Sequence, residues 1–257
     1  MITLQYASDL HLEFRDNTAF LEQQPLSVCG DILILAGDII LLAEQKLEKH
    51  PFFDWCASHY KQTYIIPGNH EYYGKYELAD TLNDFEYSLR DNVRYINNKS
   101  IRFDDTELFF STLWSPVKED EILPVQMGLT DCLRIIYQGR RFTSQDYKEV
   151  YKICFDWLSN ALKESLASKR IVVTHHCPTS RFRDPRFIGS NINSAFCVSL
   201  DEFIEDSDID YWIFGHTHFN GDSDTRIGST ILLSNQLGYV KYGEMEGFCN
   251  DTSIILF

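Results

Sequence analysis

Five apolar runs in this chain each stop at a cluster of carboxylate, amide or imidazole side chains, and no other feature constrains the fold as strongly. Ile2, Leu4 and Tyr6 alternate with polar residues and lead into Ser8-Asp9-Leu10-His11. Ile32 to Ala36 ends in Gly37-Asp38, and Tyr64-Ile65-Ile66, broken by Pro67, ends in Gly68-Asn69-His70-Glu71. Ile171 to Thr174 ends in His175-His176, and Tyr211 to Phe214 in Gly215-His216-Thr217-His218. A short continuous apolar run bounded by turn residues reads as a strand buried on both faces, as in a parallel sheet. Ligands of α/β proteins gather at the carboxyl ends of such strands, so the five clusters can converge on one site. In extended backbone, residues i and i+2 face the same side, which would let Asp9 and His11 share a centre, and His216 and His218 likewise.

The sequence between the runs supplies the remaining elements. Val150, Cys154, Trp157, Ala161 and Leu162 recur at helical spacing and predict a strong helix. Tyr76, Ala79, Leu82, Phe85 and Leu89 predict a second amphipathic helix directly after Glu71. A helix is also expected over much of the stretch before Tyr60, broken at Pro51. Leu108 to Trp114 reads as a strand, the residues around Gly228-Ser229 as a hairpin, and Ser253 to Leu256 as a sheet edge. Residues 115–144 show no period and mix Pro116, Pro124, Gly128 and Gly139 with acids and arginines. A connection of that length is usually functional, so a lid or insertion near the site is expected there. With no repeat or linker in view, residues 1–257 read as a single domain.

Charge and cysteine usage narrow the setting. Thirty-eight acidic against 23 basic side chains give a formal charge of −15, which disfavours the long positive tracks that nucleic-acid binding needs. The seven cysteines never approach Cys-x-x-Cys spacing, which argues against a disulfide framework and for a reducing compartment. The residues before Asp9 form no secretory leader, and the stretch Ile32 to Ala43 falls short of the roughly 20 apolar residues of a membrane span. A cytoplasmic, soluble protein without membrane association is expected.

The chemistry lies in the donor set. Six of the eight histidines fall in the clusters, leaving only His50 and His59 elsewhere. Imidazole, carboxylate and amide donors without thiolate suit manganese, iron or zinc. Two carboxylates, one amide and four histidines are too many donors for one ion and enough for two that share a bridge. Two such ions about 3.5–4 Å apart would generate a hydroxide and clamp a phosphoryl oxygen.

In this order the five blocks resemble the motifs of the calcineurin-like metallophosphoesterase superfamily, from Asp9 to His218, with the tail supplying the last strands. The resemblance implies an α/β four-layer sandwich, two mixed β-sheets packed face to face and flanked by helices. It implies that Asp9, His11 and His218 hold one divalent ion and Asn69, His175 and His216 a second, with Asp38 bridging. His70 would stay off the metals and act on the substrate as the catalytic residue. Manganese is the first expectation for the metal, with iron or zinc as alternatives. The implied reaction is hydrolysis of a phosphomonoester or phosphodiester through a hydroxide bridging the metals. The partner is then a small phosphorylated substrate, with nucleotides and cyclic nucleotides among the candidates. A DNA or RNA nuclease, or a non-catalytic interaction module on the same core, are the rival classes.

Several residues carry two readings. His176 is either a substrate contact or packing behind the ligands. Arg181, Arg183 and Arg186, and likewise Arg134, Arg140 and Arg141, could grip a second phosphate through their guanidinium forks or pair with surface acids. Glu71 reads as a local hydrogen-bonding partner and Tyr72 and Tyr73 as packing. Asn235, ahead of Gly238-Tyr239, either shapes the pocket or serves a turn. Fold leaves the substrate and the oligomeric state open.

Overall fold

A computed structural model describes residues 2–44, 47–221 and 225–256. In chain order, β1 (Thr3–Ala7), β2 (Ile32–Leu35), β3 (Gln62–Ile65), β4 (Phe85–Arg90) and β5 (Val93–Asn97) enter a first sheet, and β6 (Lys99–Phe103) and β7 (Thr106–Ser111) begin a second. After a short ribbon, β8 (Ile136–Tyr137) and β9 (Arg140–Arg141), the second sheet gains β10 (Lys169–Thr174), β11 (Tyr211–Phe214), β12 (Arg226–Ile227) and β13 (Thr230–Ser234). β14 (Ser253–Ile255) returns to the first sheet. The sheet orders are β14-β1-β2-β3-β5-β4 and β12-β13-β11-β10-β7-β6. Each has four parallel inner strands between two antiparallel edge strands. The hairpin around Gly228-Ser229 and the Ser253 edge strand form as the sequence predicts.

Side-chain alternation builds the four layers. Ile32 and Ile34 of β2 face the second sheet and meet Leu108, Phe110, Ile171 and Val173 in a core between the sheets. Leu33 and Leu35 face the other way, toward α1 (Arg15–Gln23) and α2 (Pro51–His59). On the far side Phe109, Val172, Trp212 and Leu232 pack under α5 (Asp146–Glu164) and α6 (Asp201–Glu205), which contribute Leu158, Leu162 and Ile204. Strands apolar on both faces are what such a sandwich requires. Among the described residues, no helix is long and apolar enough to cross a membrane.

Three predicted elements are corrected. No helix spans Tyr76 to Leu89: a single 3-10 turn at Leu78–Thr81 is followed by β4. From Phe85 to Leu89 more and less exposed residues alternate, and pairing with β5 overrides the helical spacing that the same apolar residues share. Pro51 does not break a helix but starts one, at the first position, where its missing N–H costs nothing. β7 stops at Ser111 because Leu113 and Trp114 turn into the left-handed region at φ 67° and 60°.

Residues 115–144 are well structured. They fold into α3 (Ile122–Gly128), α4 (Asp131–Arg134) and the β8–β9 ribbon. Trp114, Val125, Cys132, Ile135 and Phe142 bury this segment against Tyr72, Leu78 and the α5 residues Tyr147, Val150 and Cys154.

Candidate metal centre

All five clusters meet at the carboxyl ends of the inner strands, where backbone bonds join neighbouring strand ends within each sheet and, from Ser8 to Asn235, one sheet to the other. Ser8 N donates to Asn235 O at 2.9 Å, Asp9 N to Gly37 O at 2.9 Å, and Gly215 N to His175 O at 3.0 Å. The packing leaves no room for side chains at two glycines. A Cβ on Gly68 would lie 2.2 Å from Asp38 Oδ1, and one on Gly37, whose φ is +90°, 2.3 Å from His175 Nδ1.

The residues i and i+2 converge, though not through extended backbone. Asp9, His11, Asp38, His216 and His218 all have φ between 48° and 77°. Their strands end a residue or more earlier, and these left-handed turns wrap the chain around the centre. Non-glycine residues held there cost on the order of 1–3 kcal/mol each and collect where function requires them.

Two donor groups that share Asp38 result, beside a third of His11, Glu13 and His70. Ligand atoms of Asp9, His11, Asp38 and His218 lie within 4.8 Å of one another, as do those of Asp38, His175 and His216, so Asp38 belongs to both. Asn69 Oδ1 joins the second group, 3.1 Å from His175 Nε2. In His11, His175 and His218 the Nδ1 atom faces an oxygen: Glu13 Oε1 at 3.2 Å, Ala36 O at 2.9 Å and Glu244 Oε2 at 2.6 Å respectively. Each ring therefore presents Nε2 inward, the orientation that outer-shell acceptors impose on metal-bound histidines. His218 Nε2 is 3.3 Å from Asp9 Oδ1 and 3.1 Å from His11 Nε2; His175 Nε2 is 3.4 Å from Asp38 Oδ1. Imidazole nitrogens and carboxylates turned on common points, with no Lys or Arg among them, fit divalent cations. Burial opposes a proton on His218 and His175. The Asp9 and Glu244 carboxylates still raise His218 to about 10, and the Asp38 carboxylate, with Asp9, raises His175 to about 9.

His70 sits beside these groups. Its backbone N donates to Asp38 Oδ1 at 2.8 Å, Nδ1 lies 2.8 Å from Glu13 Oε1, and Nε2 lies 2.9 Å from Tyr239 Oη. Burial disfavours its charge, but Asp38 and Glu13 outweigh burial and raise its pKa. Glu71 is a structural brace: its carboxylate accepts from Gly68 N at 2.7 Å, Asp38 N at 2.9 Å and Ile39 N at 2.8 Å. Burial, then the Asp38 charge, pushes Glu71 up to about 8.

A cleft of about 620 Å³ opens over the centre and is lined by Asp38, Asn69, His70, His216 and His218. His176 is buried behind them, off the cleft, with its ring 4.1 Å from that of His216 and 5.0 Å from that of Trp114. Neither of its ring nitrogens has a hydrogen-bond partner. Arg183 and Arg186 line the cleft, whereas Arg181 turns away to pair with Asp201 at 2.8 Å. Arg186 is held by Asp184 and Arg140 by Asp146. Asn235 serves the backbone, donating to Tyr6 O and Cys249 O.

Four residues at the site carried no clear signal in the sequence. Asp131 accepts from Asn69 Nδ2 at 2.9 Å and from the Tyr73 and Tyr147 hydroxyls, which orients the Asn69 amide with Oδ1 toward His175. It lies in the aperiodic segment, where nothing marks it. Glu13 could have been read as the next i+2 member after Asp9 and His11. Tyr239 and Glu244 come from the tail, beyond the last recognisable block.

Comparison with known proteins agrees with this fold. A protein of Acanthamoeba polyphaga mimivirus is 29% identical over 265 residues, covering 93% of this chain and 92% of that one. The phosphopantetheinyl hydrolase of Mycobacterium tuberculosis shares the fold with a TM-score of 0.66 at 14% identity, over 95% of this chain and 92% of its own. A Thermus thermophilus protein matches with a TM-score of 0.50 at 10% identity, over 91% of this chain and 89% of its own. The profile of the calcineurin-like phosphoesterase family matches residues 6–220. With its five blocks on two facing mixed sheets, the chain belongs to the calcineurin-like phosphoesterase family.

Proposed function

We propose that the protein is a metal-dependent phosphoesterase that hydrolyses a small phosphomonoester or phosphodiester at two divalent ions. Asp9, His11 and His218 would hold one ion and Asn69, His175 and His216 the other, with Asp38 shared. The observation that carries this reading is the pair of donor groups with Asp38 in common, at the floor of an open cleft. Bound divalent ions supply Lewis acidity toward a phosphoryl oxygen and an activated water at neutral pH. A set without thiolate favours manganese, with iron or zinc as alternatives.

The chain's own residues do the rest. Asp131 keeps the Asn69 amide in one orientation, so its oxygen is presented without reorganisation. Glu13 holds Nδ1 of His70 by a charge-assisted hydrogen bond, leaving Nε2 at the cleft surface beside the Tyr239 hydroxyl. From there Nε2–H can donate to the departing ester oxygen, the role of a positioned general acid. The test is a panel of phosphomonoesters, phosphodiesters, cyclic nucleotides and single-stranded DNA, assayed with manganese and again after chelation, with metal content measured. Hydrolysis of a small ester by protein holding two equivalents is expected. No turnover of any ester by fully loaded protein would overturn the reading.

A further inference from the structure

We propose that the cleft beside the metal centre accepts a nucleotide whose sugar carries a second phosphate besides the one attacked, with the base stacked on an aromatic rim. This rests on the phosphoesterase reading above and names its substrate class.

Two independent observations point to it. The first is the distribution of exposed aromatic rings. Among the described residues only Phe14, Phe187 and Tyr242 are exposed Phe, Tyr or Trp side chains, at 42%, 53% and 67%, and all three line this one cleft. Rings kept in water around a single opening are stacking platforms for a planar group. The second observation is the state of the arginines. Arg134 and Arg183 line the cleft, and among the described residues neither guanidinium has a carboxylate within ion-pair distance, in a chain of charge −15. By contrast, Arg181 and Arg186 are neutralised by Asp201 and Asp184.

Position adds to the argument. The Arg134 guanidinium lies 5.8 Å from the centroid of the Tyr73 ring, which itself lies 4.3 Å from the His70 ring. A positive fork thus stands one aromatic ring away from the residue beside the reacting phosphoryl group. Three acids of the wall are already engaged: Glu244 with His218, Asp184 with Arg186, and Asp131 with Asn69. Among the described residues Arg134, Arg183 and Lys241 line this wall with no carboxylate within ion-pair distance, so their charges face the cleft unpaired. Planar guanidinium groups bind phosphate oxygens in bidentate fashion, and the cleft volume falls in the range of small-ligand sites. The acidic surface beyond the cleft disfavours a longer polyanion.

The experiment uses the full chain loaded with manganese and three substrates: adenosine 3′,5′-bisphosphate, adenosine 5′-monophosphate and glycerol phosphate. Arg134→Ala and Arg183→Ala should each raise KM for the bisphosphate about tenfold to hundredfold, the worth of one charge-assisted contact, and change the other two about twofold at most. Arg134→Lys should recover only part of the loss, because the charge returns without the fork. Phe187→Ala should raise KM about tenfold for both adenine nucleotides and leave glycerol phosphate unchanged. Equal effects on all three substrates, or none on the bisphosphate, would overturn the proposal. An oligonucleotide that binds more tightly than the bisphosphate and ignores both arginine variants would do the same. If no ester is hydrolysed, the phosphoesterase reading is what fails. Calorimetric binding of the bisphosphate to the same loaded protein, weakened or not by Arg134→Ala and Arg183→Ala, then decides the subsite by itself.

Discussion

His70 and Asp131 touch the centre for different reasons, and substitution should separate them. His70 is bound through Nδ1 to Glu13 and faces the cleft with Nε2, so His70→Ala should keep both metal equivalents. Its cost in kcat should be about 10²–10⁴-fold for an alkyl or nucleoside leaving group and far less for nitrophenolate, which departs without a proton. Steady-state rates on the two esters, with metal content measured, check the ratio; equal losses would remove His70 from the acid role. Asp131 lines the cleft wall and acts by fixing the Asn69 amide. Asp131→Asn should therefore weaken one of the two ions by about 10–100-fold in a metal titration and leave the other nearly unchanged. His175→Ala, in contrast, should damage fast and slow leaving groups alike.

At the scale of elements, the start of α5 shows how the wall of the cleft is anchored. Asp146 accepts from Thr143 N at 2.7 Å and Thr143 Oγ1 at 2.8 Å, and receives both Arg140 guanidinium donors at 2.7 Å. This ties the β8–β9 ribbon to the first turn of the helix, where a carboxylate also favours the dipole. Burial pushes the Asp146 carboxyl up, but Arg140 and Thr143 outweigh it and hold its pKa below the ordinary value. A depressed folded pKa stabilises above the unfolded value of about 3.9, and the contribution is lost as pH falls through the lower folded value. Asp146→Asn should cost about 1–2 kcal/mol at neutral pH and flatten the acid limb of stability, as read by denaturant midpoints between pH 6 and about 2. Trp114, fully buried between Tyr72, Phe142 and Tyr147, holds the same segment from the other side. Trp114→Ala should cost about 3–5 kcal/mol and expose residues 115–144 to proteolysis.

For the molecule as a whole, the core and the site are separable. Leu4, Ile34, Phe110 and Val173 close the space between the sheets without any contribution from the donor groups. Chelation should abolish hydrolysis and leave far-ultraviolet circular dichroism unchanged, while Tm falls because the stabilisation by bound ions is withdrawn. Loss of sheet signal on chelation would mean that the metals hold the fold together.

The apolar runs and the polar clusters that end them were enough, by themselves, to mark β1, β2, β3, β10 and β11, the α/β class and a candidate meeting of Asp9, His11, Asp38, Asn69, His175, His216 and His218, but not the inner strand β5. That information is local: a buried strand must be apolar along its length, and its end is where polar groups can reappear. What the sequence could not determine depends on pairing between distant segments. Phe85 to Leu89 fits either a helix or a strand until β5 supplies its hydrogen bonds. Asp131 reads as one more surface acid until α4 brings it to Asn69, 62 positions away. Arg181 and Arg183 are equivalent in sequence, but Asp201 claims the first and leaves the second to the cleft. The left-handed backbone at the site is equally invisible in sequence, because only the packed sheets make that strain worth holding.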